Sequence, residues 1–282
     1  MSKRNMLLSV AAGKVGDLVF YRAGGEQRTR TKVTPANPRS YNQQVQRSKI
    51  AEVVNFFRAF NVMLRETFPH RPVKQSAFNA FSAANMALAP TILRSDAKKG
   101  IVNPAPFYIS KGSLKNPFEN QDVSASTFKF ECGVIEDNAP TTEADLFEVL
   151  HELHPCCIVE GSKIIIAVGN TGTDGMGGPG SIKMIRVNLS SEASGVLADL
   201  GITASKVAQT NQLQLSIAVD SIASIAGVVL LSPTNDGKWD CNNAQMLLGS
   251  AAETKYNLYK TGVGVEDAAN SYGAAAPSCL LG

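Results

Sequence analysis

Long apolar runs are missing from this 282-residue chain. A bilayer-spanning helix takes about 20 such residues, so a membrane-spanning reading is set aside. Cysteine is sparse and odd in number: Cys132, Cys156, Cys157, Cys241 and Cys279. Without framework spacing, this excludes a disulfide scaffold and points to reduced thiols and a cytosolic origin. Histidine occurs three times, which leaves few candidates for general-base catalysis. No His-Glu-x-x-His and no Gly-Lys-Ser/Thr ending appears, so neither a zinc-protease helix nor a phosphate loop is spelled out. The opening MSKRNMLLSVAAG starts like a signal peptide, but its apolar run is short and a basic segment follows. It is read as an intracellular N-terminus.

What is present is a core's worth of apolar residues, 44%, and a lopsided charge. Residues 1–100 carry 17 Lys or Arg against 5 Asp or Glu, whereas residues 101–282 carry 10 against 19. The basic half should seek an anion, either nucleic acid or an acidic protein surface. The acidic half of a neighbouring copy is itself such a surface.

Residues 14–33 read as a β-hairpin. Val15, Leu18, Val19, Phe20 and Tyr21 supply strand formers, and Gly24-Gly25 supplies a turn tolerant of positive φ. Arg28, Arg30 and Lys32 alternate with Thr29, Thr31 and Val33, so the period of two puts the cations on one face. Pro35 and Pro38 end the strand. Residues 40–68 then read as one helix of about 43 Å, opened by Ser40 and stopped by Pro69. Ile50, Val53, Phe57, Phe60, Leu64 and Phe68 recur at steps of three and four, building an apolar stripe. A second helix is expected over Gln75–Leu88. From Ile101 the texture turns to short strands, among them Lys163–Val168, Ile182–Leu189, the strictly alternating Leu213–Val219 and Ile225–Leu231. Asn235-Asp236-Gly237 marks a hairpin turn. Two helical insertions are expected, Thr142–Leu153 with Thr142 and Asp145 as a capping box, and Ser191–Leu200 ending at Gly201.

These readings imply an α+β chain. A basic hairpin and helical unit occupies residues 1–100, and a mainly antiparallel, Ig-like β-sandwich occupies 101–262. A flexible tail fills 263–282.

The densest set of metal-type donors is His151, His154, Cys156 and Cys157, in HELHPCC. Its spacing matches no zinc site, and adjacent strand cysteines point opposite ways. The expectation is a helix C-terminus, where histidines are favourable, with one or two buried thiols, and no metal or other cofactor. The glycine-rich GNTGTDGMGGPG, residues 169–180, follows an apolar strand but precedes another strand. Lacking a helix N-terminus to hold an anion, it reads as a connection. No Ser/His/Asp arrangement emerges, and no small-molecule substrate is implied. The basic track Arg28, Arg30, Lys32, Arg39 and Arg47 remains. It suits phosphates, with thin aromatic support from Tyr21 and Tyr41, or an acidic protein surface.

The segment GKVGDLVFYRAGGEQRTRTKVTPANPRSYNQQVQRSKIAEVVNFF carries Asn37-Pro38-Arg39-Ser40 and Gln43-Gln44-Val45-Gln46-Arg47. It resembles the N-terminal signature of a family of uncharacterised proteins of gut Bacteroidota and their phages. SAFNAFSAANM and PFYISKGSL are similar to the family's next landmarks, and SPTNDGKWDCNNAQMLL to its last hairpin. The likeness covers roughly residues 10–115, while HELHPCC and the segment after Leu248 depart from it. It implies a non-enzymatic virion protein, capsid-associated or in a tail or connector. Such a protein would be made in the host cytoplasm and assemble with itself and other virion proteins. The rival expectation is a protein that coats or packages nucleic acid through its basic N-terminal face. The unmatched helix stripe and the charge split predict that the N-terminal unit packs on a neighbouring chain.

Overall fold

The structure is a computed structural model that describes residues 13–23, 26–33, 39–72, 74–124, 127–170, 182–219 and 224–273. The chain divides into two units, Met1–Arg39 and Ser40–Gly282.

In the first unit, β1 (Gly13–Val15), β2 (Leu18–Ala23) and β3 (Glu26–Thr31) form an antiparallel sheet in that order. The expected first strand is therefore two strands. The turn between them is Gly16-Asp17, where Gly16 takes φ +58°, a conformation that glycine adopts without steric cost. The proposed Gly24-Gly25 turn lies outside the described residues.

The second unit begins with α1 (Tyr41–Ala59), α2 (Asn61–Leu64), α3 (Ala77–Asn85) and α4 (Arg94–Lys99). Then come β4 (Tyr108–Ser110), β5 (Glu119–Val123), β6 (Thr127–Val134), α5 (Glu143–Leu153), β7 (Ser162–Asn170) and β8 (Ile182–Leu189). β9 (Ile202–Lys206), β10 (Gln212–Ala218), β11 (Ser224–Pro233) and β12 (Trp239–Cys241) follow. β13 (Ala244–Gln245), β14 (Leu247–Leu248), α6 (Ser250–Lys260) and α7 (Gly264–Ser271) close the described chain. The class is α+β.

Two antiparallel sheets dominate this unit, one ordered β5-β6-β10-β9 and one β12-β11-β7-β8, with β14 also on β11. Their strands differ in pattern because their surroundings differ. β10, QLQLSIA, alternates and buries Leu213, Leu215 and Ile217 on one face. β7, SKIIIAVGN, is continuously apolar because both its faces are covered. Its Ile164, Ile166 and Val168 share one core with Phe128, Phe130 and Cys132 of β6 and with Leu213, Leu215 and Ile217. Its Ile165 and Ala167 share a second core with Phe56, Phe60, Phe81 and Phe107. Phe56 centres that second core, with ring centroids 4.6 Å from Phe60, 4.7 Å from Phe107 and 5.7 Å from Phe81. Aromatic pairs at such spacing add about 0.5–1.5 kcal/mol each beyond the area they bury.

Several expectations change. The helix expected over 40–68 breaks at Phe60, which leaves helical geometry (φ −104°, ψ 19°) and is fully buried. The second helix is shorter than Gln75–Leu88, because Ser76 caps it by accepting from the Asn79 N–H at 3.2 Å. Of Ser191–Leu200, only a 3₁₀ turn at Leu197–Leu200 is helical, and it ends at left-handed Gly201. The capping box at Thr142 and Asp145 forms in both directions, at 3.1 Å each.

The boundary expected near Gly100 is absent from the fold; the division falls between Arg39 and Ser40. The reason is a polar row on α1. Gln44, Ser48, Glu52 and Asn55 are buried, one helical turn apart. Ser48 Oγ donates to Ile92 O at 2.8 Å, and Glu52 Oε1 accepts from Asn103 N–H at 2.9 Å. Asn55 Nδ2 donates to Ala97 O at 3.2 Å and Ile101 O at 3.0 Å. These bonds fasten residues 92–103 onto the helix. The tail expected to be flexible is also built in: α7 buries Ala268 and Ala269 and packs on α1. Residues 274–282 lie outside the described residues.

Candidate functional site

The stripe expected to seek a neighbouring chain is mostly covered by the chain itself. Val53, Phe60, Leu64 and Phe68 are buried in the second core, and Phe57 packs against its edge. Ile50 stands apart, 51% exposed. The sequence count missed that α3, residues 105–109 and the outer face of β7 and β11 supply the cover. No apolar patch on α1 is left to demand a partner.

The basic track is divided by the fold. Arg28, Arg30, Lys32 and Arg39 belong to the first unit, and Arg47 to α1 of the second. All five are exposed. Arg47 Nη1 donates to Gln44 Oε1 at 3.4 Å, and Arg28 reaches Glu26 at 3.5 Å.

Strand register gives the first unit two unlike faces. Residues directly opposite each other share a face. Lys14 pairs with Val19, Val19 with Arg30, and Tyr21 with Arg28, so these line one cationic and aromatic face. The Arg30 guanidinium sits 5.8 Å from the Tyr21 ring centroid. Val15 pairs with Leu18, Leu18 with Thr31, Phe20 with Gly13 and Thr29, and Arg22 with Gln27, so this face is apolar and threonine at one end and polar at the other. Val15 is 68% and Leu18 47% exposed. Val15, Leu18, Thr29 and Thr31 are exposed, and Phe20 and Gln27 are half-buried.

The His/Cys cluster does not assemble. His151 Nδ1 donates to Ile158 O at 2.6 Å, and His154 Nε2 donates to Cys132 O at 2.7 Å, so each ring spends a nitrogen on the backbone. Cys157 is buried beside exposed Cys156, with sulfurs 3.3 Å apart, and burial pushes the Cys157 thiol up. Among the described residues, no three His, Cys, Asp or Glu side chains are placed to hold a metal. The glycine-rich segment connects antiparallel β7 and β8, and its residues 171–180 lie outside the described residues.

One polar hub escaped the sequence reading. Asp240 is buried and takes hydrogen bonds from Ser113 N–H at 3.1 Å, from Ser113 Oγ and from Cys241 N–H at 2.7 Å. His70 Nε2 meets the same carboxylate at 2.7 Å. Burial pushes its carboxyl up, but these bonds outweigh that and hold it below the ordinary 3.8. Serine, histidine and aspartate thus meet, in the wrong order for nucleophilic catalysis. The carboxylate lies between the other two, so the histidine does not contact the serine hydroxyl. The group ties three segments together instead. Gly112 rests on the same strand, where a Cβ would come within 1.9 Å of Cys241 O.

The described residues thus define a mixed α+β protein with an amphipathic N-terminal sheet and a two-core body; no helix among them is long and apolar enough to cross a membrane. Residues 10–149 are similar to a family described as a family of unknown function (DUF6266), a stretch just short of half the chain. That stretch covers the N-terminal sheet, α1 to α4 and most of α5, and it ends before β7. No curated protein and no solved structure matches.

Proposed function

We propose that the chain is a non-enzymatic structural subunit of a phage virion, capsid-associated or in a tail or connector, that assembles in many copies through its N-terminal sheet. The observation that carries this reading is the exposed apolar face of β1 to β3, with Val15 and Leu18 open to solvent. A three-stranded sheet of this size has no core of its own, and such strands need a covered face for stability. On the opposite, cationic face, charge favours a copy of the same chain as a second contact, because residues 101–282 carry an acidic excess. The two sheets sharing one core support a sandwich-like reading of the β-rich region. The virion setting rests on the N-terminal resemblance.

The cationic face, with Arg28, Arg30 and Tyr21 together, favours one second reading, a coat for nucleic acid. Light scattering on the wild type and on Arg28→Glu/Arg30→Glu, with and without DNA, separates the two. Assembly without DNA supports the structural subunit. A wild type that stays monomeric at high concentration and assembles on DNA alone, with the variant inert, replaces it with the coat.

A further inference from the structure

A groove of about 730 Å³ opens between the segment after α2 and the β11–β12 hairpin. That volume suits a small organic ligand, for which sites run to roughly 300–1,000 Å³. Its walls are fixed in place by the His70–Asp240 contact at 2.7 Å, which joins one segment to the other.

The lining has two chemical features. One is positive charge from Arg65, Arg71, Lys163 and Lys238. Arg71 is held against the wall by Nη1 donation to Phe68 O at 2.9 Å and Arg65 O at 3.3 Å. Arg65 and Lys238 make no ion pair among the described residues. Two carboxylates also line the groove, Glu66 and Asp236. Glu66 is engaged by Arg186 at 3.3 Å, so the cations outweigh what remains. The other feature is Trp239, a residue 41% exposed although tryptophan is costly to leave in water. Lys163 Nζ lies 4.9 Å from its ring centroid, which joins the aromatic surface to the cationic one.

A planar ring beside several cations recognises a planar, anionic ligand. Nucleobases stack on aromatic side chains, and arginine and lysine hold phosphate. We propose that this groove binds a nucleoside phosphate, its base against Trp239 and its phosphate among Arg65, Arg71 and Lys238. The ligand is either a free nucleotide or one nucleotide of a single strand. All of its lining residues belong to the second unit.

Trp239 is the chain's one tryptophan, so its fluorescence reports on the groove. The full chain is titrated with adenosine monophosphate, a short single-stranded oligonucleotide, inorganic phosphate and polyglutamate. Saturable quenching by the nucleotide is expected, with phosphate competing without quenching. Arg65→Glu/Lys238→Glu should weaken binding at least tenfold with unchanged circular dichroism. Saturation by the oligonucleotide at tenfold lower concentration, with a steep loss on adding salt, assigns the strand as the source; equal or weaker saturation assigns the free nucleotide. No saturable quenching by either, or equal binding in the Arg65→Glu/Lys238→Glu variant, overturns the proposal. So does tighter binding of polyglutamate, which would make the groove an acidic-peptide site.

Discussion

The N-terminal sheet and the body are built from similar strand formers and come out opposite. In the body, β7 has both faces buried and β10 has one, and every large side chain on those faces meets a neighbour. In the sheet of residues 13–33, neither face is fully covered, although Leu18, Phe20 and Tyr21 are as strand-prone as anything in β10. Strand propensity therefore says little about burial. The difference lies in whether the chain has a second layer to offer, and the described residues of the first unit have none. A region that the fold leaves uncovered by its own unit is where an assembling protein keeps its contact surface.

The comparison predicts that substitutions in the two regions differ in kind. Phe56→Ala removes the ring at the centre of the second core and should destabilise the body by about 3–5 kcal/mol in denaturant melts. A loss below about 1 kcal/mol would mean the core is looser than its ring contacts indicate.

Gly112→Ala forces a Cβ onto the Cys241 carbonyl and should cost about 1–3 kcal/mol, with disturbance concentrated around β12. An unchanged melt would show that the loop gives way freely.

Glu52 should reveal itself through pH. Burial pushes its carboxyl well above the ordinary 4.5, while the Asn103 N–H and the charge of Lys255 pull it down by less. The native state thus holds the proton more tightly than the unfolded chain. The stability this brings is fully present below pH 4.5 and is lost as pH rises through the raised folded-state value. Glu52→Gln should lack that decline, so its advantage over the wild type grows with pH. Parallel stability curves for the two proteins would refute this.

The smallest effect belongs to the sheet. Leu18→Ser should move the melting of the dilute chain by no more than about 0.5 kcal/mol, as at exposed sites generally, yet it should weaken self-association. A large loss of monomer stability would place Leu18 in the body's cooperative unit.

How much was legible follows the same division. The alternation of Leu213, Leu215 and Ile217 and the unbroken apolar run of β7 gave away the strands, because side-chain period reports which faces are buried. The Thr142–Asp145 cap was readable because its chemistry is local. The polar row Gln44, Ser48, Glu52 and Asn55 was not, since polar residues one turn apart look like a solvated face. Their partners at residues 92–103 lie some 40 positions away. The same row explains why a boundary read at Gly100 falls at residue 39 instead. The cations of β3 could be placed on one face from their spacing alone, and the groove at Trp239 could not. Its lining comes from residues 65–71, Lys163 and residues 231–239, which meet through the β7–β11 pairing and the contact of His70 with Asp240.

The claim that the N-terminal sheet is the assembly surface is tested most directly by amide hydrogen exchange on the full chain at low and high concentration. Protection of residues 13–33 should rise with concentration while the amides of β7 and β11 exchange at the same slow rate throughout. Exchange in residues 13–33 that stays fast and independent of concentration would contradict it.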